Sequence, residues 1–288
     1  MKKAVFAVLF AAALLLPAVV GAQPLELKLA RVLSWQKKYD EALVRYRSYI
    51  GSHPNDARAR LEMGDICFWT EDYSCAMREY EAAKRNPRFA TEAEKKLAKL
   101  AEATGDLAMS EEHLRRILAS EPSNQEARLK LARVLSYGKR YPESIAEFDA
   151  AIEADPENAA ALSERADVLS WDDRYGEAVE SYDASLAIRF DPKVARQKAR
   201  VLGWWKKFGD AIDAYDEAYE KSGVEGIALE RDGKEAFWNG WVLKSIERYR
   251  RLLDSEPENV EGRFDLGQVE GYQRMWKDAA ENFGRILE

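Results

Sequence analysis

The side chains in this sequence best suited to molecular recognition are aromatic rings that recur at a nearly constant interval. They are spaced 34 residues apart, with one interval of 33 and one position that lacks a ring. The series is Trp35, Trp69, Ala103, Tyr137, Trp171, Trp204, Trp238 and Tyr272. Tryptophan and tyrosine offer a rigid apolar face with a polar edge, which suits stacking on peptide side chains or sugar rings. We call the seven aromatic members the aromatic ladder and predict that it forms a binding surface.

Four residues before each position of this series, the side chain is charged in seven of eight cases. The series is Arg31, Asp65, Lys99, Arg133, Asp167, Arg200, Lys234 and Gln268. Five of the eight are basic, although the chain carries a formal net charge of −7. We predict that Arg31, Arg133, Arg200 and Lys234 share the ladder's surface, where they would favour a carboxylate-bearing peptide or an acidic glycan. An ordinary solvated face explains the same charges, and the two aspartates interrupt the series.

Groups for catalysis or metal binding are scarce. The chain has two histidines and two cysteines, and His53 and His113 lack a Cys or His at ligand spacing. Tetrahedral metal sites need clustered ligands, and neither a phosphate-binding glycine loop nor a nucleophile elbow occurs. The sequence therefore predicts a protein that is not an enzyme and that needs no metal or cofactor.

The elements that position the ladder follow from small residues with the same period. A small residue recurs at Ala30, Gly64, Ala98, Ala132, Ala166, Ala199, Gly233 and Gly267. Twelve residues after each of these comes a second small residue, such as Ala42, and we call the two small residues of a repeat its first and second anchors. Sixteen residues after the first anchor comes a large apolar or aromatic residue, such as Tyr46. Two small residues at this spacing let short antiparallel helices approach closely. Because one such pair has too little apolar surface to fold alone, neighbouring pairs must stack.

This pattern resembles the tetratricopeptide repeat, a 34-residue helix–turn–helix unit. The resemblance extends over residues 23–288, with repeats beginning near residues 23, 57, 91, 125, 159, 192, 226 and 260. It implies an all-α fold, a right-handed α-solenoid of about eight helical hairpins that forms a single domain. It also implies that the first helix of each hairpin lines a concave groove that binds ligands.

The direction of the ladder follows from helix geometry. At about 100° per residue, the ladder position points away from the seam with the partner helix, and so we expect it to line the groove. Two alternatives remain for the rings: exposed stacking surfaces, or packing against the next repeat or over the turn. A second aromatic residue four positions later, such as Tyr39 or Tyr141, could cluster with the ladder ring of its own hairpin.

Cys67 and Cys75 lie in the two helices of the second repeat, at roughly mirror-related positions across the turn. In an oxidising compartment we expect them to form a disulfide; two buried thiols are the alternative.

Residues 1–22 read as a cleaved secretory signal peptide. Lys2 and Lys3 precede an apolar run that ends at Leu16, and Val20, Gly21 and Ala22 supply small residues before a cut. We therefore expect a periplasmic or secreted protein that does not span the membrane after processing. Removing both lysines leaves an acidic chain, which argues against a nucleic-acid partner.

The sequence thus predicts a noncatalytic periplasmic scaffold for protein–protein interactions in an envelope assembly. Its Arg-Val-Leu-Ser-Trp/Tyr segments resemble tetratricopeptide units of bacterial exopolysaccharide export and outer-membrane proteins, which implies an accessory role in such a complex. The alternative is direct binding of a glycan by the aromatic ladder. Phe283, Ile286 and Leu287 form an apolar stripe on the last helix, where we expect docking of another protein or a second copy.

Overall fold

In the computed structural model, which describes residues 24–287, every regular element of that range is a helix. The helices are α1 (Leu25–Trp35), α2 (Tyr39–Ser52), α3 (Ala57–Trp69), α4 (Tyr73–Lys84), α5 (Ala90–Thr104), α6 (Leu107–Ser120), α7 (Gln125–Tyr137), α8 (Tyr141–Ala154), α9 (Ala159–Trp171), α10 (Tyr175–Ile188), α11 (Pro192–Trp204), α12 (Phe208–Ser222), α13 (Glu225–Trp238), α14 (Val242–Ser255), α15 (Val260–Tyr272) and α16 (Trp276–Leu287). Consecutive helices pair as hairpins. The predicted all-α architecture of repeated hairpins is confirmed.

The described chain divides into two compact units, with the division between Ala127 and Arg128. The first unit holds the hairpins from α1 to α6, and the second holds most of α7 and the helices from α8 to α16. The expectation of a single domain stays a prediction. The expected signal peptide, residues 1–22, lies outside the described residues.

Each first helix ends in the same hydrogen-bonded turn, and this turn places the aromatic ladder. After α1, the Lys38 N–H donates to the Leu33 carbonyl at 2.9 Å and the Lys37 N–H donates to the Ser34 carbonyl at 2.9 Å. This is a Schellman pattern, which needs one residue with a left-handed backbone. In the eight hairpins that residue is Lys37, Glu71, Gly105, Lys139, Asp173, Lys206, Gly240 or Arg274. Each ladder aromatic is the last helical residue before this turn.

The small anchors lie where the two helices of a hairpin meet. All sixteen are buried, from Ala30 and Ala42 to Gly267 and Ala279. In two hairpins the second anchor is a serine whose hydroxyl donates to the carbonyl of the first, at 2.7 Å for Ser144 and 2.8 Å for Ser245. The helices approach closely enough for this bond because neither anchor has a larger side chain.

Cys67 of α3 and Cys75 of α4 are joined by a disulfide, with an S–S distance of 2.07 Å. Both residues are buried in the hydrophobic core of the first unit. The bond links the two helices of one hairpin directly below its turn.

Successive first helices are joined by ion pairs, which we call the inter-repeat ion pairs. Each connects a charged residue to a residue of opposite charge 30 or 31 positions along the chain, one repeat away. The pairs are Arg31–Glu62, Lys96–Asp65, Arg133–Glu164, Arg200–Glu230 and Lys234–Asp265. In the Arg31–Glu62 pair, Nε and Nη2 each donate to a carboxylate oxygen at 2.8 Å. Such bidentate contacts fix orientation as well as distance.

Buried tyrosines complete several of these pairs from the second helix of a hairpin. The hydroxyl of Tyr46 donates to Glu62 at 3.1 Å, that of Tyr80 to Asp65 at 2.9 Å and that of Tyr215 to Glu230 at 2.7 Å. A buried hydroxyl needs a hydrogen-bond partner, and the carboxylate supplies it. The result is a repeated network of tyrosine, carboxylate and cation between one hairpin and the next.

Glu230 is the most deeply buried carboxylate of this set, with a fully buried side chain. Arg200 holds it in two hydrogen bonds of 2.6 and 2.8 Å, and Arg196 donates a third at 2.6 Å. Burial opposes ionisation of Glu230, but the hydrogen bonds and charges of Arg200, with Arg196 and Lys234, outweigh it and lower the pKa to about 2. Glu230 therefore stabilises the fold at neutral pH, and this contribution is lost as the pH falls from about 4.5 towards 2.

We predict that Glu230→Gln lowers the free energy of unfolding by about 3 kcal/mol at pH 7, because it leaves buried Arg200 without its counter-charge. Urea unfolding followed by circular dichroism measures this. Glu62→Gln is the matched control, because the side chain of Glu62 is 28% exposed; a loss of about 1 kcal/mol or less is expected there. Equal losses in the two variants would contradict the assigned role of burial.

Candidate functional site

The aromatic ladder lies largely at the surface. Six of its seven rings are exposed, from 46% for Trp204 to 79% for Trp35, and only Trp238 is half-buried. Ala103 leaves α5 without a ring at this position. The structure thus places Trp35, Trp69, Tyr137, Trp171, Trp204 and Tyr272 where a ligand could reach them.

The rings are also partly packed, but against a different neighbour from the one the sequence suggested. Three ladder rings contact the first aromatic residue of the second helix in the preceding hairpin. Tyr39 lies 6.1 Å from Trp69 between ring centroids, Tyr141 lies 6.3 Å from Trp171, and Phe208 stacks on Trp238 at 4.5 Å. The second-helix rings Tyr39, Tyr141 and Phe208 thus contact the ladder ring of the next hairpin rather than that of their own. Each such contact covers one side of a ladder ring and leaves the other side accessible in Trp69 and Trp171.

Trp238 is half-buried because of a glycine in the preceding first helix. A Cβ atom at Gly203 would lie 3.0 Å from the indole of Trp238. The missing side chain therefore leaves room for the ring beside α11, and Phe208 closes it from the other side. Of the ladder rings, Trp238 is the least available to a ligand.

The basic residues expected in the groove are engaged in the inter-repeat ion pairs. Arg31, Arg133, Arg200 and Lys234 each bind a carboxylate of the next first helix. Arg200 is itself buried. Their charges are largely neutralised within the protein, so the basic excess along the series does not by itself favour an anionic ligand.

A cleft of about 800 Å³ lies in the first unit between Trp35 and Trp69. Its wall also includes Tyr39 and the exposed residues Lys28 and Lys37. The remaining lining residues are Arg31, Val32, Ser34, Tyr46, Arg58, Glu62 and Asp65. Four cations and two carboxylates therefore surround two indole faces, and the cleft has a basic balance.

A second cleft, of about 760 Å³, lies in the second unit between Trp171 and Trp204. Helices α9 and α11 form its floor. The loop between α14 and α15 forms a wall, through Glu256, Pro257, Glu258 and Asn259. Arg196 fastens this loop by donating to Glu256 at 2.9 Å. This wall could not be predicted from the sequence, because the contact that holds it joins residues 60 positions apart.

Asp167 is the acidic residue of this second cleft whose environment is most unusual. It accepts a hydrogen bond from the hydroxyl of Tyr182. Burial raises the pKa of Asp167 to about 6; the Tyr182 hydrogen bond opposes this rise, and the charge of Glu164 adds to it. The corresponding residue in the first unit, Asp65, is instead paired with Lys96 at 2.6 Å.

The predicted apolar stripe on the last helix is partly uncovered. Leu287 is 89% exposed, and Phe283 is exposed while it contacts Phe264 edge to face at 5.8 Å. Ile286 has intermediate exposure. Docking of another protein or a second copy on these residues stays a prediction.

Each of the two histidines contacts a neighbouring side chain within the fold. His113 is buried and hydrogen-bonds to Glu94, whereas His53 stacks on Tyr49 with ring centroids 4.3 Å apart. Over residues 24–287, no group of His, Cys, Asp and Glu side chains is placed to hold a metal ion. None of the helices described there combines the length and apolar character needed to cross a bilayer.

Comparison with known proteins defines the family. The tetratricopeptide repeat model matches residues 27–90, 95–159 and 129–195, which together span more than half of the chain. The chain therefore belongs to the tetratricopeptide repeat family. Proteins of this family are generally noncatalytic scaffolds that bind protein partners. A comparison with curated proteins finds no match.

Three solved structures with a similar fold share little sequence with this chain. A tetratricopeptide repeat protein from Parabacteroides merdae is 15% identical, with a TM-score of 0.68 over 80% of this chain and 92% of that one. The C-terminal part of a repeat protein from Cytophaga hutchinsonii is 14% identical, with a TM-score of 0.65 over 83% and 99%. YrrB, a tetratricopeptide repeat protein with an unusual peptide-binding site, is 20% identical, with a TM-score of 0.50 over 63% and 90%.

We predict that Asp167→Asn raises the free energy of unfolding at pH 7.5 by about 2 kcal/mol, because an amide removes a partly buried charge and still accepts from Tyr182. A raised pKa destabilises the folded state only above the ordinary pKa of aspartate. The gain should therefore shrink as the pH falls through 6 and vanish near pH 4.

Urea unfolding at pH 7.5 and at pH 4 tests this prediction. Asp65→Asn is the matched control: it removes the ion pair with Lys96 and should lower stability at pH 7.5. A stability change of the same sign in both variants would show that the two aspartates do not differ as described.

Proposed function

We propose that this protein is a noncatalytic scaffold of the bacterial periplasm that binds an envelope protein along its aromatic ladder. The observation that carries the proposal is the position of the ladder rings at the exposed ends of the first helices. Two of them flank a cleft in each unit: Trp35 and Trp69 in the first, and Trp171 and Trp204 in the second. Exposed indoles beside a concave surface are typical of the anchoring residues of protein interfaces.

The compartment and pathway are inferred from the sequence. Residues 1–22 have the charged start, apolar run and small residues of a secretory signal. The Arg-Val-Leu-Ser-Trp/Tyr segments resemble repeats of exopolysaccharide export and outer-membrane proteins. We infer an accessory role in such an assembly, with an outer-membrane or secretion component as the partner. A second copy docked on Phe283, Ile286 and Leu287 would be compatible with this role.

YrrB gives a precedent for peptide recognition by this fold. It is a tetratricopeptide repeat protein with an unusual peptide-binding site. Because its identity to this chain is only 20%, it supports a peptide ligand as a class and says nothing of which residues would bind it.

We predict that Trp69→Ala weakens binding of the envelope partner by about thirtyfold, because truncating an anchoring tryptophan typically costs about 2 kcal/mol at an interface. The measurement is quantitative co-purification of tagged whole chain from an envelope extract, followed by affinity measurement with the identified partner. Trp241→Ala is the matched control, since Trp241 is 54% exposed and Trp69 is 55% exposed but only Trp69 belongs to the ladder.

Two outcomes would contradict the scaffold proposal. One is equal recovery of the partner with both tryptophan variants, which would remove the ladder from the interface. The other is a cytoplasmic chain that retains residues 1–22, measured by cell fractionation and N-terminal sequencing; it would remove the proposed compartment.

A second candidate function is direct binding of an acidic glycan in the cleft of the first unit. The favouring observation is the combination of two exposed indoles with exposed Lys28 and Lys37. Tryptophan fluorescence titrated with oligogalacturonate and with neutral malto-oligosaccharide of equal length tests it. A response to the acidic sugar alone, lost in Trp69→Ala and kept in Trp241→Ala, is expected for this function; no response to either leaves the protein-binding function.

A further inference from the structure

Two aspartates occupy equivalent positions in the two units. Asp65 lies in α3 and Asp167 lies in α9, each four residues before a ladder tryptophan. Each accepts a hydrogen bond from a buried tyrosine in the second helix of its own hairpin, Tyr80 or Tyr182. The two carboxylates therefore share the same position, orientation and hydroxyl partner within their hairpins.

Only one of these aspartates is neutralised. Lys96, from the next first helix, donates to both carboxylate oxygens of Asp65, at 2.6 and 2.8 Å. The equivalent position of α11 holds Gln197, whose side chain carries no charge. Among the residues that the structure describes, none forms an ion pair with Asp167. The second unit therefore has the carboxylate of an inter-repeat ion pair without its cation.

The uncompensated carboxylate faces an open cleft. Asp167 and Gln197 both line the cleft of about 760 Å³ that Trp171 and Trp204 flank. A cation that approached Asp167 from this cleft would meet indole rings on the way. Aromatic faces attract ammonium and guanidinium groups, most strongly where these groups are partly desolvated.

The arginines of the same cleft do not compete for Asp167. Arg196 donates to Glu230 at 2.6 Å and to Glu256 at 2.9 Å. Arg200 is buried and held by Glu230, with Glu261 at 3.6 Å. Lys193 is exposed on the rim and makes no ion pair with Asp167. Asp167 is thus the group on the cleft floor whose charge the fold leaves unmatched.

We propose that the cleft between Trp171 and Trp204 binds a lysine side chain of a partner protein, whose ammonium group pairs with Asp167 as Lys96 pairs with Asp65. This inference rests on the proposed scaffold function and names the chemistry that its second unit recognises. A partner segment with a lysine would complete the network of tyrosine, carboxylate and cation that the repeats build for themselves elsewhere.

The first experiment uses Nα-acetyl-lysine methylamide as the probe, with its Nε-acetylated form as the neutral control. Indole N–H signals of the ¹⁵N-labelled whole chain are followed by NMR, and Trp171 and Trp204 are assigned by single replacement with phenylalanine. Both signals should shift with millimolar amounts of the charged probe and remain in place with the neutral one. Asp167→Asn should weaken binding at least tenfold.

Two substitutions exchange the Asp65–Lys96 and Asp167–Gln197 arrangements and so make the test specific. Gln197→Lys supplies the missing cation from within the chain, so it should abolish probe binding while the protein stays folded and unfolds at the same or a higher temperature. Lys96→Gln should create a second lysine site at Asp65, reported by the indole signal of Trp69. Lys193→Gln is the control, because it removes a cation on the rim of the cleft. This variant should bind the probe at least as tightly as the wild-type chain.

Several results would overturn the inference. These are equal shifts with the charged and neutral probes, undiminished binding in Asp167→Asn or Gln197→Lys, or a preference for Nα-acetyl-glutamate methylamide at the same indoles. If an envelope partner co-purifies equally with wild type, Asp167→Asn and Gln197→Lys, the scaffold function stands and the lysine site falls. If the probe binds as expected but no partner co-purifies, the site stands and the scaffold function falls.

Discussion

The contact on which the repeats depend joins three groups. A carboxylate and a cation come from neighbouring first helices, and the buried hydroxyl of a tyrosine comes from a second helix. Apolar packing brings hairpins together, but it tolerates sliding. A hydroxyl buried in that packing must find an acceptor, and a carboxylate at the edge of the core needs a counter-charge. The Tyr215–Glu230–Arg200 group satisfies both requirements with hydrogen bonds of 2.6 to 2.8 Å. It therefore fixes the position of one first helix against the next.

The exposure of the aromatic ladder follows from this fixed register and from the turn that ends each first helix. Because the ladder ring is the last helical residue, no further turn of its own helix covers it. The preceding hairpin can cover one side, as Tyr39 does for Trp69. Trp35, for which no earlier hairpin is described, is the most exposed ring of the ladder at 79%. Trp69 and Trp171 thus each have one packed side and one accessible side, so packing and exposure are combined in the same ring.

The period, the anchors and the hairpin architecture could be predicted from the sequence because each depends on residues close together in the chain. Helix geometry predicted that the ladder position points away from the partner helix, and six of its seven rings are exposed; that these rings line a groove was implied by the family resemblance and stays a prediction. The role of the basic series could not be found by looking at one position, because it depends on a residue 31 positions further on. Once the register is known the signal is visible: Glu62 follows Arg31, Glu164 follows Arg133 and Asp265 follows Lys234 at that interval. The wall formed by Glu256 had no such signal, since it comes from another hairpin's loop.

The inter-repeat ion pairs occur in two orientations, with the cation on the earlier or on the later first helix, and this shows that the packing requires only that the charges be opposite. Arg31 faces Glu62, whereas Asp65 faces Lys96 with the charges reversed. Either arrangement neutralises the contact, so the sign at one position is free to change if its partner changes too. A row of basic residues on one helix face therefore carries little information about a ligand's charge. A position is more informative where this compensation fails. Asp167 and Gln197 occupy the equivalent positions and line the same cleft, and Gln197 supplies no charge to neutralise the carboxylate.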